Sequence, residues 1–256
     1  MVQVRSRFRQ TFGKFIIFLF ITLLTIYFVN TLTKTTKFQL LGELVNHVNT
    51  KDKVVALTYD DGPNPPYTNQ LLEVLERNQI KATFFVVGKM IEKHPETVQL
   101  VLSRGHELGN HSYSHKRLVF ENPSFIRSEI EKTDQLLHQL GVKQKIHFRA
   151  PYGRKFVVLP YILAQMDKKN ILWDVNSNDY KASSSELIEN YVLEHVSPGS
   201  IVLLHDGGGE RSKTVAATES LIKKLQEKGY TFKTVSELIR QSSNKSDNAA
   251  KCDRTG

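Results

Sequence analysis

The sequence predicts one α/β domain preceded by a single apolar N-terminal helix. Helix-period stretches alternate with short β-branched apolar runs along residues 53–240, and a long apolar run occupies residues 15–32. A domain of about two hundred residues is a normal size for one hydrophobic core. The alternation gives roughly six or seven β/α units, which implies a parallel sheet covered by helices, either a barrel or an open doubly wound sheet.

The N-terminal apolar run indicates a membrane-spanning helix. From Phe15 to Val29 it is interrupted only by Thr22 and Thr25, and its apolar shoulders extend it toward the length of a bilayer crossing. A buried core helix suits neither the terminal position nor the basic residues before the run. We therefore expect a basic cytoplasmic segment at residues 1–14, a transmembrane anchor at 15–32 and a linker at 33–52.

Basic residues set the expected orientation of this anchor. Arg5, Arg7, Arg9 and Lys14 precede the apolar run, so the positive-inside rule places the N-terminus in the cytoplasm and the domain outside the cell. A cleaved signal peptide is the alternative. Residues 30–38, NTLTKTTKF, offer no clear small-x-small cleavage site, which favours an uncleaved anchor in the cell membrane.

The domain is predicted to run from residue 53 to residue 240. Its first strand is β-branched and ends before the Gly62-Pro63 loop signal. The predicted strands are Val54–Tyr59, Ala82–Val87, His106–Gly109, Lys145–Arg149, Ile171–Val175 and Ser200–Leu204. The predicted helices are Thr68–Asn78, Pro95–Arg104, Ser124–Leu140, Phe156–Lys169, Ser185–His195 and Thr214–Lys228. Residues 241–256 lack apolar periodicity and are predicted to form a disordered tail.

Charge and cysteine content exclude several classes of function. The net charge of +9 is concentrated at the two ends of the chain, and no nucleic-acid-binding motif accompanies it. This distribution favours membrane topology and anionic surfaces over a nucleic-acid groove. Cys252 is the only cysteine, which excludes an intrachain disulfide and a cysteine-based metal site. We expect a monomer.

Polar residues are concentrated just after the C-terminal ends of the predicted strands. In β/α barrels and open parallel sheets, active sites are built at this edge. A single polar residue there is usually a turn or a helix cap, but five strand ends carry them together. The residues are Asp60, Asp61, His111, His115, Arg149, the segment Asp174–Asp179, His205 and Asp206.

The spacing of His111 and His115 is typical of metal ligands. One helical turn would place both imidazoles on the same side. Two surface histidines would be the alternative for a lone pair. A carboxylate from Asp60 or Asp61 completes a three-ligand site for a divalent ion such as Zn²⁺. Successive side chains at an extended strand end point to opposite sides, so one aspartate can bind the ion while its neighbour has another role.

Five motifs, taken in order, resemble those of the NodB-type polysaccharide deacetylases, carbohydrate esterase family four. They are TYDDGP at Thr58–Pro63, HSYSH at His111–His115, RAPYG at Arg149–Gly153, WDVNSNDY at Trp173–Tyr180 and IVLLHD at Ile201–Asp206. The resemblance covers residues 53–240. It implies a distorted (β/α)₇ barrel, the NodB homology domain, and a hydrolase that removes acetyl groups from a polysaccharide.

The resemblance also implies a role for each residue of the metal side. Asp61, His111 and His115 would hold one divalent ion, with Zn²⁺ expected first and Co²⁺ or another divalent ion as alternatives. Asp60 would be the general base. Arg149 would pair with Asp60 and keep its carboxylate ionised and oriented.

On the other side of the site, the resemblance makes His205 the general acid and Asp179 its orienting partner. The main-chain N–H of Tyr152 would donate to the oxyanion. Leu203 and Tyr180 would line a small pocket for the acetyl methyl group.

The substrate expected first is N-acetylglucosamine in peptidoglycan, because an outward-facing anchored enzyme meets the cell wall. The fourth motif departs from the family pattern at Asn176, often an aspartate, and at Tyr180, often a tryptophan. These departures leave the acetyl pocket and the polymer open. Chitooligosaccharide, O-acetyl xylan, another acyl or phosphoryl group, and a catalytically inactive glycan-binding barrel are the alternatives.

Overall fold

A computed structural model describes residues 2–242 of the chain. The tail predicted at residues 241–256, including Cys252, therefore lies almost entirely outside the described residues. Helix α1 spans Val2–Lys34, and its part from Gly13 to Lys34 has a mean hydropathy of 2.3 over its most apolar window. At a rise of about 1.5 Å per residue, these 22 residues are about 33 Å long, enough to cross a bilayer core.

The strands of the domain pair in parallel. The central sheet has the order β4-β3-β2-β7-β6, with β8 beside the start of β2, and β1 pairs with β5 in a separate ladder. The strands are β1 (Leu44–Val45), β2 (Val54–Asp60), β3 (Thr83–Val86), β4 (Glu107–Asn110), β5 (Asn170–Ile171), β6 (Val175–Asn176), β7 (Ile201–His205) and β8 (Thr231–Phe232).

Single bridges at Phe148 continue this order toward a barrel. Phe148 pairs in parallel with Asn110 at the end of β4 and with Asn170 in β5. In spatial order the strands are therefore β2, β3, β4, the bridge at Phe148 and β5, followed by β6 and β7, and β7 pairs with β2. Within residues 2–242 no ladder joins β5 to β6. This order fits the distorted β/α barrel that the resemblance implies, with an open seam between β5 and β6 in the described residues.

Helices cover the outside of the strands. The helices of the domain are α2 (Tyr67–Arg77), α3 (Gly88–Lys93), α4 (Pro95–Ser103), α5 (Pro123–Gln139), α6 (Val158–Gln165), α7 (Ser185–His195) and α8 (Ser212–Glu227), with a 3₁₀ turn at Pro151–Gly153 and a last helix over residues 235–242. Helix α2 shows why they pack: Leu71, Leu72, Val74 and Leu75 recur on one face and are buried.

The α/β prediction is confirmed, but two predicted strands differ in the structure. The segment Lys145–Arg149 forms only the bridge at Phe148, and Ile171–Val175 is divided between β5 and β6. Side-chain hydrogen bonds add to the backbone bonds in this part of the domain. Arg149 donates to the carbonyls of Ile171 and Leu172, while Asp174 accepts from the N–H of Ile201. Backbone groups satisfied in this way need no strand partner.

Part of the linker predicted at residues 33–52 is packed on the domain. Strand β1 pairs with β5, and the Leu172 N–H donates to the Val45 carbonyl at 2.8 Å. Val48 is buried in the core cluster of β2 and β7. Near the end of α1, the Lys155 N–H donates to the Thr33 carbonyl at 3.1 Å. The segment predicted as a linker therefore contacts the domain both near its start, at Thr33, and near its end, at residues 44–48.

Candidate active site

Asp60 and Asp61 lie at the C-terminal end of β2, where the strand stops. Asp60 is the last residue of the strand and is buried, while Asp61 has a left-handed backbone with φ of 75°. This conformation turns the chain sharply and separates the two neighbouring carboxylates. Asp60 accepts from Arg149, and Asp61 lies against two histidines.

Asp61, His111 and His115 form a group able to hold a metal ion. Asp61 Oδ1 lies 3.0 Å from His115 Nε2 and 3.5 Å from His111 Nε2, and one ligand atom from each residue lies within 4.8 Å of the others. Asp61 Oδ1 is a buried carboxylate oxygen without a hydrogen bond in the described part of the chain. One carboxylate and two imidazoles suit Zn²⁺ or a similar divalent ion, so the residues present fit the implied metal.

A backbone hydrogen bond fixes the tautomer of His111. Its Nδ1 lies 2.8 Å from the Arg149 carbonyl, which can only accept, so Nδ1 carries the hydrogen. In the neutral ring, Nε2 then keeps its lone pair and faces Asp61. The carbonyl therefore orients this imidazole as a ligand.

The loop after β4, rather than a helix, brings the two histidines together. The prediction that one helical turn aligns them is wrong, because residues 111–119 contain no helix. Ser112 and His115 have left-handed backbones, with φ of 63° and 56°. Asn110 Oδ1 accepts from the Ser112 N–H, and Ser112 Oγ accepts from the His115 N–H, so side chains hold the turn. The imidazole centroids lie 4.9 Å apart.

The surroundings favour the metal-binding protonation states of Asp61 and His115. At His111, burial lowers the pKa, but the charges of Asp60 and Asp61 outweigh it, so the net pKa lies above its ordinary value. Burial raises the pKa of Asp61, but the neighbouring imidazoles of His111 and His115 outweigh it, so this pKa lies below its ordinary value. Burial, reinforced by His111, lowers the pKa of His115 to about 4. A charged Asp61 and a neutral His115 are the forms that bind cations.

Arg149 is fully buried and holds Asp60 in place. Its Nη1 donates to Asp60 Oδ1 and to Thr58 Oγ1, both at 2.7 Å. Its guanidinium also lies 4.0 Å from the ring centroid of Phe85. Burial lowers the pKa of Arg149, and the charge of Asp60 opposes this effect. A planar, multiply bonded guanidinium of this kind fixes the position of the carboxylate.

His205 and Asp179 form a second charged pair across the site. His205 Nδ1 lies 2.7 Å from Asp179 Oδ1, and Asp179 Oδ2 accepts from the His205 N–H and from Thr214 Oγ1. Burial lowers the pKa of His205, but the hydrogen bond and charge of Asp179 outweigh it, so the net pKa lies above its ordinary value. Since Nδ1 is occupied, Nε2 is the nitrogen left to exchange a proton.

A cleft of about 430 Å³ joins these groups. Asp60, Asp61 and the two metal-side histidines line one part of it, and His205 lines another. The remaining lining residues are Arg117, Tyr152, Arg154, Trp173, Asn176, Tyr180, Leu203 and Arg211. Tyr180 is 52% exposed, and its ring lies edge-on to His205 with centroids 5.8 Å apart. Of the predicted polar residues outside the segment Asp174–Asp179, all but Arg149 and Asp206 line the cleft, and within that segment only Asn176 does. Arg149 acts through Asp60 and His111, and Asp179 acts through His205.

The sequence interpretation missed Arg117, Arg154, Arg211 and Trp173 as cleft residues. Three arginines near one cleft have no common spacing along the chain, so periodicity carries no signal for them. Trp173 is the first residue of the fourth motif and Arg154 directly follows the third, so their positions in or beside motifs are the signal that could have indicated them.

Two glycines allow the first and last motifs to approach each other. A Cβ on Gly62 would lie 2.0 Å from the Asp206 carboxylate, and one on Gly207 would lie 2.1 Å from the Asp61 carbonyl oxygen. The N–H groups of Asp206 and Gly207 donate to the Asp60 carbonyl. Gly207 is therefore a point of close packing, where a side chain would not fit.

Asp206 is buried behind the metal group. It accepts a hydrogen bond from Thr68 Oγ1 at 2.7 Å, and it lies outside the cleft lining. Burial, reinforced by Asp61, raises the pKa of Asp206 to about 7.

Comparison with known proteins identifies relatives of this arrangement. A model of the polysaccharide deacetylase family matches residues 47–171. Among curated proteins, a peptidoglycan-N-acetylglucosamine deacetylase of Bacillus cereus is 37% identical over 202 residues, covering 78% of this chain and 94% of that protein.

Solved structures match in fold as well as in sequence. One is a peptidoglycan N-acetylglucosamine deacetylase in complex with a naphthalenyl N-oxidanyl-benzamide, with a TM-score of 0.74 and 33% identity over 77% of this chain and 92% of that chain. Another is a family 4 acetyl xylan esterase from Clostridium thermocellum in complex with a cobalt ion. Its TM-score is 0.69, with 31% identity over 74% of this chain and 91% of that chain.

Proposed function

Because the chain belongs to the polysaccharide deacetylase family, carbohydrate esterase family four, we propose that it removes N-acetyl groups from an amino-sugar polymer outside the cell. The proposal is carried by two groups that line the same cleft. One is the Asp60 carboxylate beside the metal-binding group, and the other is the His205 imidazole, which is held by Asp179. Amide hydrolysis needs a base and an acid at opposite ends of the bond that is broken.

Asp61, His111 and His115 would hold one divalent ion, with Zn²⁺ as the proposed metal. The ion would supply Lewis-acid polarisation of the acetyl carbonyl and a lower pKa for a water molecule at the site. The support for this role is the buried Asp61 Oδ1, which accepts no hydrogen bond from residues 2–242, and the fixed Nε2 of His111. His115 completes the group from the loop after β4.

Asp60 is the proposed general base. Arg149 occupies its Oδ1, while its Oδ2 lies 3.5 Å from His111 Nε2 and so is on the metal side. This carboxylate would take one proton from the attacking water as the water oxygen bonds to the acetyl carbon. The buried guanidinium holds the Asp60 carboxylate in place for this proton transfer.

His205 is the proposed general acid. When the carbon–nitrogen bond breaks, the departing amide nitrogen keeps the electron pair and takes a proton from His205, giving acetate and a free amine. Asp179 raises the pKa of His205 and fixes its tautomer, so Nε2 carries the proton for transfer. Asp179 is thus a positioning residue.

The backbone and apolar residues of the cleft would position the acetyl group. The structure gives the Tyr152 N–H no acceptor among the described residues, so it is available to an oxyanion. Leu203 is almost fully buried and Tyr180 is half exposed, and both line the cleft with His205. They would enclose the methyl group.

Peptidoglycan N-acetylglucosamine is the first proposed substrate. The B. cereus relative, which aligns over nearly its whole length, carries that activity in its name. Helix α1 supports location at the cell membrane with the domain outside, where wall polymers are the nearest acetylated glycans. Acetylated polysaccharide and membrane are accordingly the proposed partners.

The experiment is a measurement of acetate and free amine released by the full chain in detergent with Zn²⁺. Peptidoglycan, chitooligosaccharide and O-acetyl xylan are offered separately. We expect release from the amino-sugar polymers, and loss of release in Asp60→Asn with glycan binding retained. Asp167→Asn is the matched control, because the Asp167 side chain is 89% exposed on the surface. Binding without any release of acetate by the unsubstituted chain would establish an inactive glycan-binding barrel instead.

A further inference from the structure

A group of exposed apolar side chains surrounds the point where α1 meets the domain. We call this group the apolar rim, and it consists of Phe38, Leu40, Leu41, Phe120, Val157 and Tyr161. Phe120 is 71% exposed, and the other five side chains are between 38% and 51% exposed.

Contacts join the apolar rim to the end of the helix. Leu32 of α1, Phe38 and Leu40 line one small cleft together with Phe156. The Phe120 ring packs on Phe156 with centroids 5.5 Å apart. Leu41, Val157 and Tyr161 line the neighbouring depression, about 500 Å³ in volume. The six side chains therefore form one continuous surface beside α1.

Phe120 is held in this surface at a conformational cost. Its φ of 63° lies in the left-handed region, which bulky side chains rarely adopt. The described chain covers little of the ring, so burial does not offset the strain within the domain. Strain retained at an exposed aromatic residue indicates a role outside the folded domain.

Hydrogen bonds fix the domain directly to the end of α1. Arg154 Nη1 donates to Asn30 Oδ1 at 3.1 Å and to Thr33 Oγ1 at 3.2 Å. Lys155 is buried, and its Nζ donates to the Thr35 carbonyl. Since the apolar run ends at Val29, a helix that crosses the membrane has these contacts at the bilayer surface.

Resting on the membrane anchor of the proposed function, we infer that the apolar rim lies in the outer interface of the same membrane, so that the catalytic cleft opens beside the bilayer. The occupant of the apolar rim is lipid, because its surface is continuous with a helix whose apolar side chains are themselves exposed. Exposed Lys34, Lys37, Lys116 and Arg117 border it and suit phosphate headgroups.

The position of the cleft follows from Arg154. This residue lines the cleft and also bonds to Asn30 at the end of α1. Arg117 joins the same wall, with its guanidinium 5.1 Å from the ring centroid of Tyr152. A site held this close to the membrane favours glycan at the membrane surface, such as lipid-linked polymer, over polymer deep in the wall.

The first test measures the depth of labelled positions in the bilayer. The full chain, with Cys252→Ser, is placed in phosphatidylglycerol–phosphatidylcholine nanodiscs and carries one environment-sensitive fluorophore at Phe120→Cys or Val157→Cys. Leu187→Cys on α7 is the matched control, because Leu187 is 54% exposed and lies outside the apolar rim. We expect blue-shifted emission and quenching by nitroxide lipids at 120 and 157 but not at 187. Equal and weak quenching at the three positions would overturn the inference.

The second test compares lipid-linked and soluble substrates of the same sugar sequence. The double variant Phe120→Asp/Val157→Asp should lose roughly tenfold in rate on lipid-linked glycan in vesicles, because proximity to the surface raises the local substrate concentration. Its rate on the soluble oligomer should match that of Leu187→Asp. Equal rates of both variants on the lipid-linked glycan would count against the inference. If the unsubstituted chain released no acetate from either substrate, the proposed function would fail, while the depth measurement would still decide the position of the apolar rim.

Discussion

Asp60 and His205 lie opposite each other on the adjacent parallel strands β2 and β7, and each is held by a charged partner of its own. Asp60 pairs with Arg149 and His205 with Asp179, both at 2.7 Å. The two pairs share no side chain, so each can be altered separately. The proposed base and the proposed acid can therefore be examined one at a time.

Removal of Asp179 should lower the pH at which activity is lost on the alkaline side. A general acid must be protonated, and Asp179 raises the pKa of His205, so Asp179→Asn should lower that pKa. We expect a loss of about 10²–10⁴-fold in kcat/KM together with an alkaline limb displaced to lower pH, measured over pH 5–10. Thr214→Val, which removes one hydrogen bond but keeps the carboxylate, should give a smaller displacement. An unchanged alkaline limb in Asp179→Asn would show that His205 is not the acid.

Removal of Arg149 should destabilise the domain by leaving a buried carboxylate without its partner. For Arg149→Met we expect a fall of about 3–5 kcal/mol in the free energy of unfolding, measured by urea denaturation. Asp60→Asn/Arg149→Met should lose less than the sum of the single variants, with a coupling of about 1–3 kcal/mol. Additive losses would indicate that Arg149 acts through its carbonyl contacts rather than through Asp60.

Binding of Zn²⁺ should stabilise the chain through His115. At a free Zn²⁺ concentration a hundredfold above Kd, we expect about 2.7 kcal/mol of added stability and a higher Tm, reversed by chelation. His115→Ala should lose this increase in Tm, whereas His195→Ala, an exposed histidine on α7, should keep it. The same Zn²⁺-dependent increase in both variants would place the metal elsewhere.

Alanine at position 207 should displace the backbone of the proposed metal ligand Asp61. The added Cβ would overlap the Asp61 carbonyl oxygen, so Gly207→Ala must displace either the first or the last motif. We expect a loss of about 1–3 kcal/mol in stability, accompanied by weaker Zn²⁺ binding measured by calorimetric titration. Gly209→Ala is the control, since no atom lies within 4 Å of its Cβ, although its positive φ adds some strain. Equal Zn²⁺ affinity in the two variants would contradict the proposed link between Gly207 and Asp61.

The sequence predicted the α/β class because its signals are local. Apolar positions in α2 recur at helical spacing, and Val54 to Tyr59 form an uninterrupted β-branched and apolar run. Strand-end polarity indicated the edge of the sheet at which Asp60, His111 and His205 meet. The five motifs and their resemblance to a family then predicted which carboxylate faces which histidine.

The limits of this prediction lie where distant segments contact each other. The predicted strand at Lys145–Arg149 is reduced to bridges at Phe148, where the backbone bonds to Asn110 on one side and to residues 169–171 on the other. Short strands of two residues have too little periodicity to be recognised, as β1, β6 and β8 show. Helical spacing of the two histidines was also misleading, because side-chain hydrogen bonds from Asn110 and Ser112 stabilise a loop there.

By itself, the sequence determined the fold class, the apolar N-terminal helix and the chemical types of the site residues, since periodicity, charge and motif spacing are properties of neighbouring residues. Only the tertiary structure decided that Asp61 turns away from Asp60, that the Arg149 carbonyl sets the tautomer of His111, and that Arg154 joins the cleft to the end of α1. Each of these contacts joins groups whose separation depends on backbone dihedrals and packing between elements. No local pattern of residues specifies such distances.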